Sequence, residues 1–421
     1  MVELLSPAGV FEKMKTAFDF GADAVYFAGK SFGLRAFAGN FSDEEIYKAS
    51  QYAHSLGKKV YVTLNIIAHD CDFVNLKQYL HLLEDAKVDG VIVADIGIAV
   101  FVKENSNLEL HISTQANILN SHSAKFFASL GAKRLVLARE LSLDEIKNIR
   151  ANLDKNVQLE TFVHGAMCIS YSGRCLLSNY IANRDSNKGA CAQACRWCYT
   201  VTEQSRQGQH YEIQEDNRGT YIFNSKDLCL INHINTLIEA GIDSFKIEGR
   251  MKSQYYVANV TNAYRRAIDS YYNCEDKSKW ILPYGLDEEV KKSSHRHYTT
   301  GFYFNESNKE KLDTSSPTQT YKFIAVVLED AKDGFVIIEQ RNRFVKGDNL
   351  QVLSATDNFN KEIIVDFMKD EKGEEIIDAK SVNQKIWLKT DLSLKQGDIL
   401  RIKVWYFNLK KIVTLNHNFF Y

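Results

Sequence analysis

The sequence predicts an α/β fold, a (β/α)8 TIM-like barrel, followed by a small C-terminal antiparallel β-barrel domain. Three observations lead to this prediction. Short apolar segments alternate with amphipathic helices through most of the chain, which is typical of a parallel sheet. Polar side chains follow these segments where each one ends. The final part of the chain instead carries short segments rich in Val, Ile, Tyr and Phe between turn signals, which is typical of antiparallel strands.

Eight apolar segments are predicted as barrel strands, and each leads through a polar or glycine-rich turn towards a helix. Ser42 is the expected N-cap of the helix that follows the second strand. Each right-handed crossover returns the chain to the same sheet, so regular alternation predicts closure, whereas a doubly wound open sheet rarely repeats so often. The predicted strands are Val2 to Leu5, Ala24 to Phe27, Val60 to Ile66, Gly90 to Ala94, Leu108 to Ile112, Arg134 to Leu137, Val157 to Val163 and Ser244 to Ile247.

Potential ligand-binding side chains stand at the carboxyl ends of these strands. In a (β/α)8 barrel this end is the rim at which active sites form. Polar residues also follow strands simply because loops are solvated, but their presence along most of the rim favours a functional site. They are Ser6, Asn65, Asp95, Gln115, Arg139, His164, Glu248 and Arg250.

The composition shifts twice along the chain, which predicts three parts. Residues 1–275 form the barrel, residues 276–317 a charged connector with two prolines, and residues 318–421 the β domain. A chain of 421 residues exceeds the usual size of one hydrophobic core, so more than one domain is expected. The predicted β-domain strands are Tyr321 to Leu328, Gly334 to Glu339, Asn349 to Leu353, Ile363 to Phe367, Gln384 to Leu388 and Asp398 to Trp405.

The composition is that of an ordinary globular protein, with 45% apolar and 25% charged residues. The apolar runs are too short to span a membrane, and the first residues lack the basic and apolar regions of a secretory signal. We therefore expect a cytoplasmic protein, in which clustered cysteines favour metal or redox chemistry over disulfides. A net charge of −1 provides no overall electrostatic attraction for nucleic acid, although it leaves room for a local basic patch.

Five of the eight cysteines lie in one stretch that begins directly after the seventh predicted strand. The six residues between the first two suit an iron–sulfur cluster, in which each iron needs a thiolate from a different direction. Structural zinc remains an alternative because the last three are closely spaced. A cysteine nucleophile with His164 as its base is a third possibility, although neither G-x-S-x-G nor H-E-x-x-H occurs. The five are Cys168, Cys175, Cys191, Cys195 and Cys198, and Cys229 is a further candidate ligand.

Several segments resemble the collagenase-like peptidase family. ETFVHGAMC at 160–168, continued by CLLS at 175–178, is similar to the signature of that family. The β-rich C-terminal domain is also similar to the one that a branch of the family carries, so the resemblance covers nearly the whole chain. Further matching segments are ELLSPAG at 3–9, GADAVYFAG at 21–29, GRCLLSNY at 173–180, RDSNKGACAQACRW at 184–197, NSKDL at 224–228, KIEGRMKSQYYVA at 246–258 and HRHYTTGF at 295–302.

The resemblance implies two different activities. The family name refers to collagen cleavage, whereas the branch most similar to this sequence acts in prephenate-dependent hydroxylation of the tRNA wobble uridine to 5-hydroxyuridine. Relatives bind a [4Fe–4S] cluster through four cysteines, and Cys168, Cys175 and Cys191 match three of these positions. The fourth position matches either Cys195 or Cys229, and Cys198 has no counterpart. A third alternative is a non-catalytic RNA-binding protein with structural zinc.

If the protein is a hydroxylase, roles can be predicted for the polar residues at the carboxyl ends of the barrel strands. Prephenate carries two carboxylates, which cationic side chains would bind by charge-assisted hydrogen bonds. Glu248 is a candidate proton carrier or a structural ion-pair partner, and His164 a candidate general acid or base, a hydrogen-bond donor to a cluster sulfur or a packing residue. The eighth strand and the helix after it also carry basic residues that would form a surface for tRNA phosphates, Lys246, Arg250, Lys252, Arg265 and Arg266. For Arg265 and Arg266 the alternative is an ordinary solvated helix face. The expected substrate-binding residues are Asn65, Gln115, Arg139, Lys246 and Arg250.

Overall fold

The computed structural model describes residues 1–30, 32–33, 39–168, 170–186, 190–197, 214–216, 219–221, 226–304 and 318–404. The described residues form two compact units. The first comprises Met1–Val290 with His295–Thr318, and the second comprises Lys291–Ser294 with the described residues from Gln319 onward.

The first unit is a closed parallel barrel, as the alternation of strands and helices predicts. Seven strands pair in sequential order, and the eighth, β11, pairs with both β7 and β1 and thereby closes the sheet. The barrel strands are β1 (Glu3–Pro7), β2 (Ala24–Phe27), β3 (Lys59–Leu64), β4 (Gly90–Val93), β5 (Glu109–Ile112), β6 (Arg134–Val136), β7 (Gln158–Ala166) and β11 (Ser244–Ile247).

Helices between and after the strands cover the barrel. Helix α2 begins at the expected N-cap, because Ser42 accepts a hydrogen bond from the Glu45 backbone and the Glu45 carboxylate accepts one from the Ser42 backbone. The helices of the first unit are α1 (Phe11–Asp19), α2 (Asp43–Ser55), α3 (Leu76–Asp85), α4 (Ile96–Asn105), α5 (Ser121–Ser129), α6 (Leu143–Ala151), α7 (Leu177–Ala182), α8 (Ile234–Glu239), α9 (Gln254–Asn273) and α10 (Leu286–Glu289).

Four short strands lie outside the barrel order. A small hairpin, β8 (Gln214–Asp216) with β9 (Gly219–Tyr221), follows the cysteine-rich stretch. Strand β10 (Asp227–Cys229) then pairs antiparallel with the carboxyl end of β7, and β12 (Tyr298–Thr299) pairs parallel with β10. Within the described residues, the sheet therefore continues beyond the barrel where β7 extends past its neighbours.

Strand β7 contains a β-bulge near its carboxyl end. Phe162 is the register partner of Lys246, but the next residue of β11, Ile247, pairs with His164 instead of Val163. One extra residue on a strand reverses the face to which the following side chains point. The alternation that places Glu160 and Phe162 on the inner face of the barrel is therefore interrupted before His164.

A buried ionic network lies inside the barrel where the sheet closes. The Glu160 carboxylate, which is fully buried, accepts hydrogen bonds from Lys246 Nζ at 2.9 Å and from Arg134 Nη1 at 3.1 Å. Arg134 also binds the Glu3 carboxylate and the Gln158 amide oxygen. Burial by itself would raise the pKa of Glu160, but the two cations outweigh it and hold that pKa below its usual value. The network joins side chains of β1, β6, β7 and β11.

The second unit is built from antiparallel strands around a separate apolar core, which confirms the predicted class of the C-terminal domain. Seven strands form one sheet in the order β17-β16-β21-β13-β14-β20-β18, and β15 and β19 form a small second sheet. The strands are β13 (Tyr321–Val327), β14 (Phe335–Gln340), β15 (Phe344–Val345), β16 (Asn349–Leu353), β17 (Glu362–Ile364), β18 (Met368–Lys369), β19 (Asp378–Ala379), β20 (Lys385–Lys389) and β21 (Ile399–Lys403).

All of the predicted barrel strands and all six predicted C-terminal strands have counterparts among the described elements. The short strands β15, β18 and β19 were not predicted, because two residues are too few to show a periodic pattern. None of the helices described here has the length and apolar character that a membrane-crossing segment requires.

We predict that Glu160→Gln lowers the free energy of unfolding of the first unit by about 3 kcal/mol, because it leaves the buried Lys246 without a compensating carboxylate and removes one of the two carboxylates that pair with Arg134. Urea denaturation followed by the α-helical circular dichroism signal measures this, since every described α-helix belongs to the first unit. Asp144→Asn is the control, because its ion pair with Lys147 is exposed and should not contribute measurably. Equal stability of Glu160→Gln and the unmodified protein would contradict the role assigned to this network.

A pH dependence should arise from His111, which is fully buried beside the same network. Burial is the largest effect and lowers the pKa of His111 below its ordinary value of about 6.5. Below that pH the unfolded chain takes up a proton that the folded protein does not bind, so folding loses stability as the pH falls. Between pH 7 and 5.5, the unmodified protein should lose more of its free energy of unfolding than His111→Gln does in urea denaturation. Parallel losses in the two proteins would show that His111 binds a proton equally well in both states.

Candidate active site

A cavity of about 230 Å³ lies at the carboxyl end of the barrel strands. Tyr26, Ile92 and Phe162 provide apolar surface from three barrel strands, and the cysteine-rich loop after β7 provides another part of its lining. Ten of the twelve residues predicted for the site line this cavity, Asn65, Gln115, Arg139, Cys168, Cys175, Cys191, Cys195, Lys246, Glu248 and Arg250. The structure thus brings together side chains from positions far apart in the sequence.

Hydrogen bonds from serine side chains help to shape the cysteine-rich loop. The Ser186 hydroxyl donates to the carbonyl of Cys175 at 2.7 Å, and the Ser178 hydroxyl accepts from the backbone of Ala192, next to Cys191, at 2.9 Å. These contacts bring the two halves of the loop together although the thiols do not bond to each other. Cys168 and Cys191 are exposed, while Cys175 and Cys195 are partly buried.

The four cysteine thiols in this cavity have the chemistry that an iron–sulfur cluster requires. Within the described parts of the chain, no three His, Cys, Asp or Glu side chains are grouped closely enough to hold a single metal ion. A cluster makes a different demand, because each of its irons takes its own thiolate from a different side. Four separate thiols around one cavity match that demand in ligand type and number. Cys198 lies outside the described residues.

Arg139 holds the start of this loop against the barrel. Its Nη1 donates to the carbonyl of Ala166 at 3.0 Å, its Nη2 donates to the Ser172 hydroxyl at 2.8 Å, and its guanidinium lies over the Phe162 ring. Asn117 donates to the Ser172 carbonyl at 3.0 Å. The segment that contains Cys168 is therefore tied to the barrel on both sides of that cysteine.

Lys246 lines the cavity and binds the buried carboxylate of Glu160. Lys246 Nζ lies 2.9 Å from the Glu160 carboxylate and 4.4 Å from the centre of the Tyr26 ring, and only 4% of the residue is exposed. Its positive charge is thus compensated within the protein. The predicted role of Lys246 in binding a substrate carboxylate stays a prediction, but the structure adds an internal partner with which a substrate would compete.

The remaining polar residues are positioned by contacts around the rim. Asn65 Nδ2 donates to Gln115 Oε1 at 2.6 Å, so these two amides act as one unit. Arg250 is buried and donates to Asn40 at 3.3 Å.

Glu248 is fixed through its backbone. Its amide donates to the His164 carbonyl, and its own carbonyl accepts from the Tyr256 hydroxyl at 2.8 Å. Glu248 also lines the cavity.

His164 and Cys229 are the two predicted site residues that do not line the cavity. They are register partners on β7 and β10, beyond the bulge. The His164 ring is buried among tyrosines, and its Nε2 lies 3.3 Å from the Tyr298 hydroxyl. Burial lowers the pKa of His164 to about 3, with smaller contributions from His295 and Lys252, so the ring is neutral near pH 7.

The basic surface expected on the eighth strand and its helix is not presented to solvent as a whole, so that part of the prediction is wrong. Lys246 and Arg250 are each 4% exposed. Arg265 forms ion pairs with Asp23 and Asp269. The sequence shows that these residues are basic, but it does not show that Glu160 of β7 pairs with Lys246 or that Asp23, before β2, pairs with Arg265.

Three serines of the cavity were absent from the predicted site, although they shape it. Ser172, Ser178 and Ser186 line the cavity, and each makes a hydrogen bond that orders the cysteine-rich loop. Each lies within five residues of a cysteine, which is the signal that could have identified them. Glu160 was also absent from the predicted site. The sequence feature that could have identified it is its position as a single charged residue within an apolar strand.

Fold and cavity together define a class of protein, a (β/α)8 barrel with a cysteine-lined pocket at the carboxyl ends of its strands and an added β domain. The sequence matches the profile of peptidase family U32 over residues 9–313 and that of the peptidase family U32 C-terminal domain over residues 319–401. The chain therefore belongs to peptidase family U32, which confirms the resemblance to collagenase-like peptidases.

Relatives of the chain carry names from two kinds of activity. "tRNA hydroxylation protein P1" of Bacillus subtilis is 39% identical, with 95% of this chain and 94% of that protein covered. An "uncharacterized protease" of Methanocaldococcus jannaschii is 38% identical, with 94% and 97% covered. "tRNA hydroxylation protein P" of Escherichia coli is 34% identical, with 95% and 96% covered.

We predict that Gly165→Ala disturbs both stability and the cavity. Gly165 has φ of +109°, and an added Cβ would lie 2.4 Å from the Glu248 carbonyl oxygen, which is far too close. Gly57→Ala is a matched control, because Gly57 also has positive φ but has open space around it. In urea denaturation, Gly165→Ala should lose at least about 1 kcal/mol more than Gly57→Ala. Equal losses would mean that the close approach of Gly165 to Glu248 does not add to the cost of the substitution.

Proposed function

We propose that this protein is an RNA-modifying enzyme that hydroxylates the wobble uridine of tRNA to 5-hydroxyuridine, with prephenate as co-substrate and a [4Fe–4S] cluster as cofactor. The names of two relatives that align over nearly the whole chain support tRNA hydroxylation. The observation that carries the proposal is that four cysteines share one cavity with Arg139, Lys246 and Arg250. Thiolate and cationic groups would thus meet at the end of the barrel where active sites form.

The proposed reaction needs redox chemistry that amino-acid side chains alone do not supply. Conversion of the uridine C5–H bond to C5–OH is a two-electron oxidation of the base, so it needs an oxygen donor and an acceptor for two electrons. A bound iron–sulfur cluster supplies electron-transfer or Lewis-acid chemistry. Cys168, Cys175 and Cys191 would hold it, with the fourth thiolate from Cys195 in the cavity or from Cys229 on β10.

Arginine would be the main anion-binding residue in the cavity. Arg139 uses two of its N–H groups to hold the loop, and its guanidinium remains part of the cavity lining. A guanidinium has five N–H donors in a planar fork, so it is suited to a carboxylate of prephenate while it keeps its structural contacts. Lys246 would contribute less, because Glu160 already compensates its charge.

The second candidate function is a collagenase-like peptidase, which the family description and the name of one relative favour. A cysteine nucleophile needs a base within hydrogen-bond reach. His164 was the candidate base, but it lies outside the cavity lining, its lowered pKa makes it a weak base, and it contacts Tyr298. The geometry therefore favours the hydroxylase over a Cys–His peptidase.

Two measurements on anaerobically purified protein test the proposal. Iron and sulfide analysis should find a cluster in the unmodified protein and its loss in Cys168→Ala, Cys175→Ala and Cys191→Ala. Cys71→Ala is the control, because Cys71 is an exposed cysteine outside the cavity. Between Cys195→Ala and Cys229→Ala, the variant that loses iron identifies the fourth ligand.

The activity is measured by mass spectrometry of tRNA nucleosides from a strain that lacks the gene. The unmodified gene should restore 5-hydroxyuridine and its derivatives, and Arg139→Ala should restore markedly less because it loses both the loop contacts and an anion ligand. Zinc without iron in the purified protein, or no change in 5-hydroxyuridine on restoring the gene, would count against the hydroxylase. Collagen cleavage that Cys168→Ser abolishes would favour the peptidase instead.

A further inference from the structure

The cysteine-rich loop exposes large aromatic and aliphatic side chains beside the cavity. Tyr180 is 85% exposed, Leu176 53%, Tyr171 52% and Trp197 44%. Exposed apolar side chains that occur singly need no explanation, but a group of them on one loop marks an interaction surface. We call Tyr171, Leu176, Tyr180 and Trp197 the aromatic rim.

The loop separates inward-facing from outward-facing residues. Ser172 and Gly173 line the cavity, and Gly173 lies so close to Gln115 that an added Cβ would approach it to 3.1 Å. The residues on either side of this pair, Tyr171 and Arg174, are exposed and are joined by a turn hydrogen bond of 3.0 Å. The exposed ring of Tyr171 is therefore held at the cavity edge by neighbours that are anchored in it.

The same arrangement recurs in the other members of the rim. Leu177 and Ser178 line the cavity, whereas Leu176 and Tyr180, four positions apart on and before helix α7, are exposed. Residues four apart lie on one face of a helix. Trp197 follows the cavity residue Cys195 by two positions, on a turn that packs against α7. All four rim residues thus lie within two residues of the cavity lining, which limits their distance from it to about 7 Å of chain.

The charges of the loop complement a polyanion. The described loop residues 170–186 and 190–197 contain three arginines and one aspartate, and no lysine or glutamate. Arg174 is exposed next to Tyr171. A surface that combines exposed aromatic rings with arginine is suited to single-stranded nucleic acid, because bases stack on the rings and phosphates bind the cations.

We propose that the aromatic rim binds the unpaired nucleotides on either side of the nucleotide that enters the cavity, so that the RNA ligand must be a single-stranded loop. This inference rests on the proposed function. A base can enter the cavity only when it is unpaired and withdrawn from its stack, and its neighbours then lose a stacking partner. Tyr171, Tyr180 and Trp197 replace that partner, and Arg174 binds a phosphate of the same strand.

The test measures RNA affinity apart from catalysis. The full-length, anaerobically purified protein is titrated into a fluorescent RNA hairpin with the sequence of an anticodon arm, and into the same sequence annealed to its complement. Fluorescence anisotropy should show tighter binding to the hairpin. Tyr180→Ala and Tyr171→Ala should each weaken hairpin binding about 10-fold, while Tyr180→Phe retains it. Tyr284→Ala is the matched control, because Tyr284 is fully exposed but lies outside the cysteine-rich loop.

Salt dependence separates stacking from charge. The logarithm of the affinity should fall with the logarithm of the salt concentration, and Arg174→Ala should reduce that slope by about 0.7, the value for one phosphate contact to a single strand. Tyr180→Ala should lower the affinity at every salt concentration and leave the slope unchanged. A reduced slope in Tyr180→Ala would mean that the ring does not act by stacking.

Each remaining outcome decides between the rim and the proposed function. If the unmodified protein forms 5-hydroxyuridine but Tyr171→Ala and Tyr180→Ala bind the hairpin normally, the proposed role of the aromatic rim is wrong and the proposed hydroxylase function is retained. If hydroxylation fails while both variants lose affinity for the hairpin, the rim stands as an RNA-binding surface without that activity. Equal binding of hairpin and duplex would contradict the proposal that the aromatic rim binds unpaired nucleotides. Displacement of the hairpin by a proline-rich collagen peptide that Tyr180→Ala no longer binds would also contradict it.

Discussion

The carboxylate of Glu160 is the group on which the arrangement of this barrel and its cavity most depends. It binds Lys246 and Arg134 at a fully buried position, and Arg134 continues the contact to Glu3. These side chains come from β7, β11, β6 and β1, the strands at which the sheet closes. Closure of a barrel requires that strands distant in sequence pair in one register. The ionic network inside the barrel favours that register, since a shift by one residue would leave buried charges without their partners.

The same network influences the chemistry available at the cavity. Lys246 lines the cavity, but Glu160 neutralises it, so this part of the lining does not present an uncompensated positive charge. The charge of Arg139 is not neutralised in this way, since its hydrogen bonds to Ala166 and Ser172 go to neutral groups. The two cations look equivalent in the sequence, because both follow or occupy strand ends. Their different surroundings make Arg139 the stronger candidate for contact with an anionic ligand.

The sequence predicted the order and closure of the barrel strands, because apolar alternation and right-handed crossovers allow few other folds. It also predicted that Asn65, Gln115 and Glu248 would meet, since carboxyl ends of parallel strands share one rim. It could not predict the position of His164. Period-two alternation places His164 on the same face as Phe162, and the bulge that reverses this appears only in the pairing of β7 with β11. Long-range partners such as Glu160 with Lys246 are likewise invisible until the register is known.

Arg139 and Asn117 both bind Ser172, so the cysteine-rich loop contains an inner set of residues held by the barrel and an outer set exposed to solvent. The inner residues take their positions from the barrel, whereas Tyr171, Arg174 and Tyr180 project away from it. Changes in the outer set can therefore alter what the loop meets without moving the thiols, and changes in the inner set can adjust the thiols without redesigning the outer face. A barrel with such a loop is an adaptable scaffold, in which ligand selection and cysteine geometry can diverge independently.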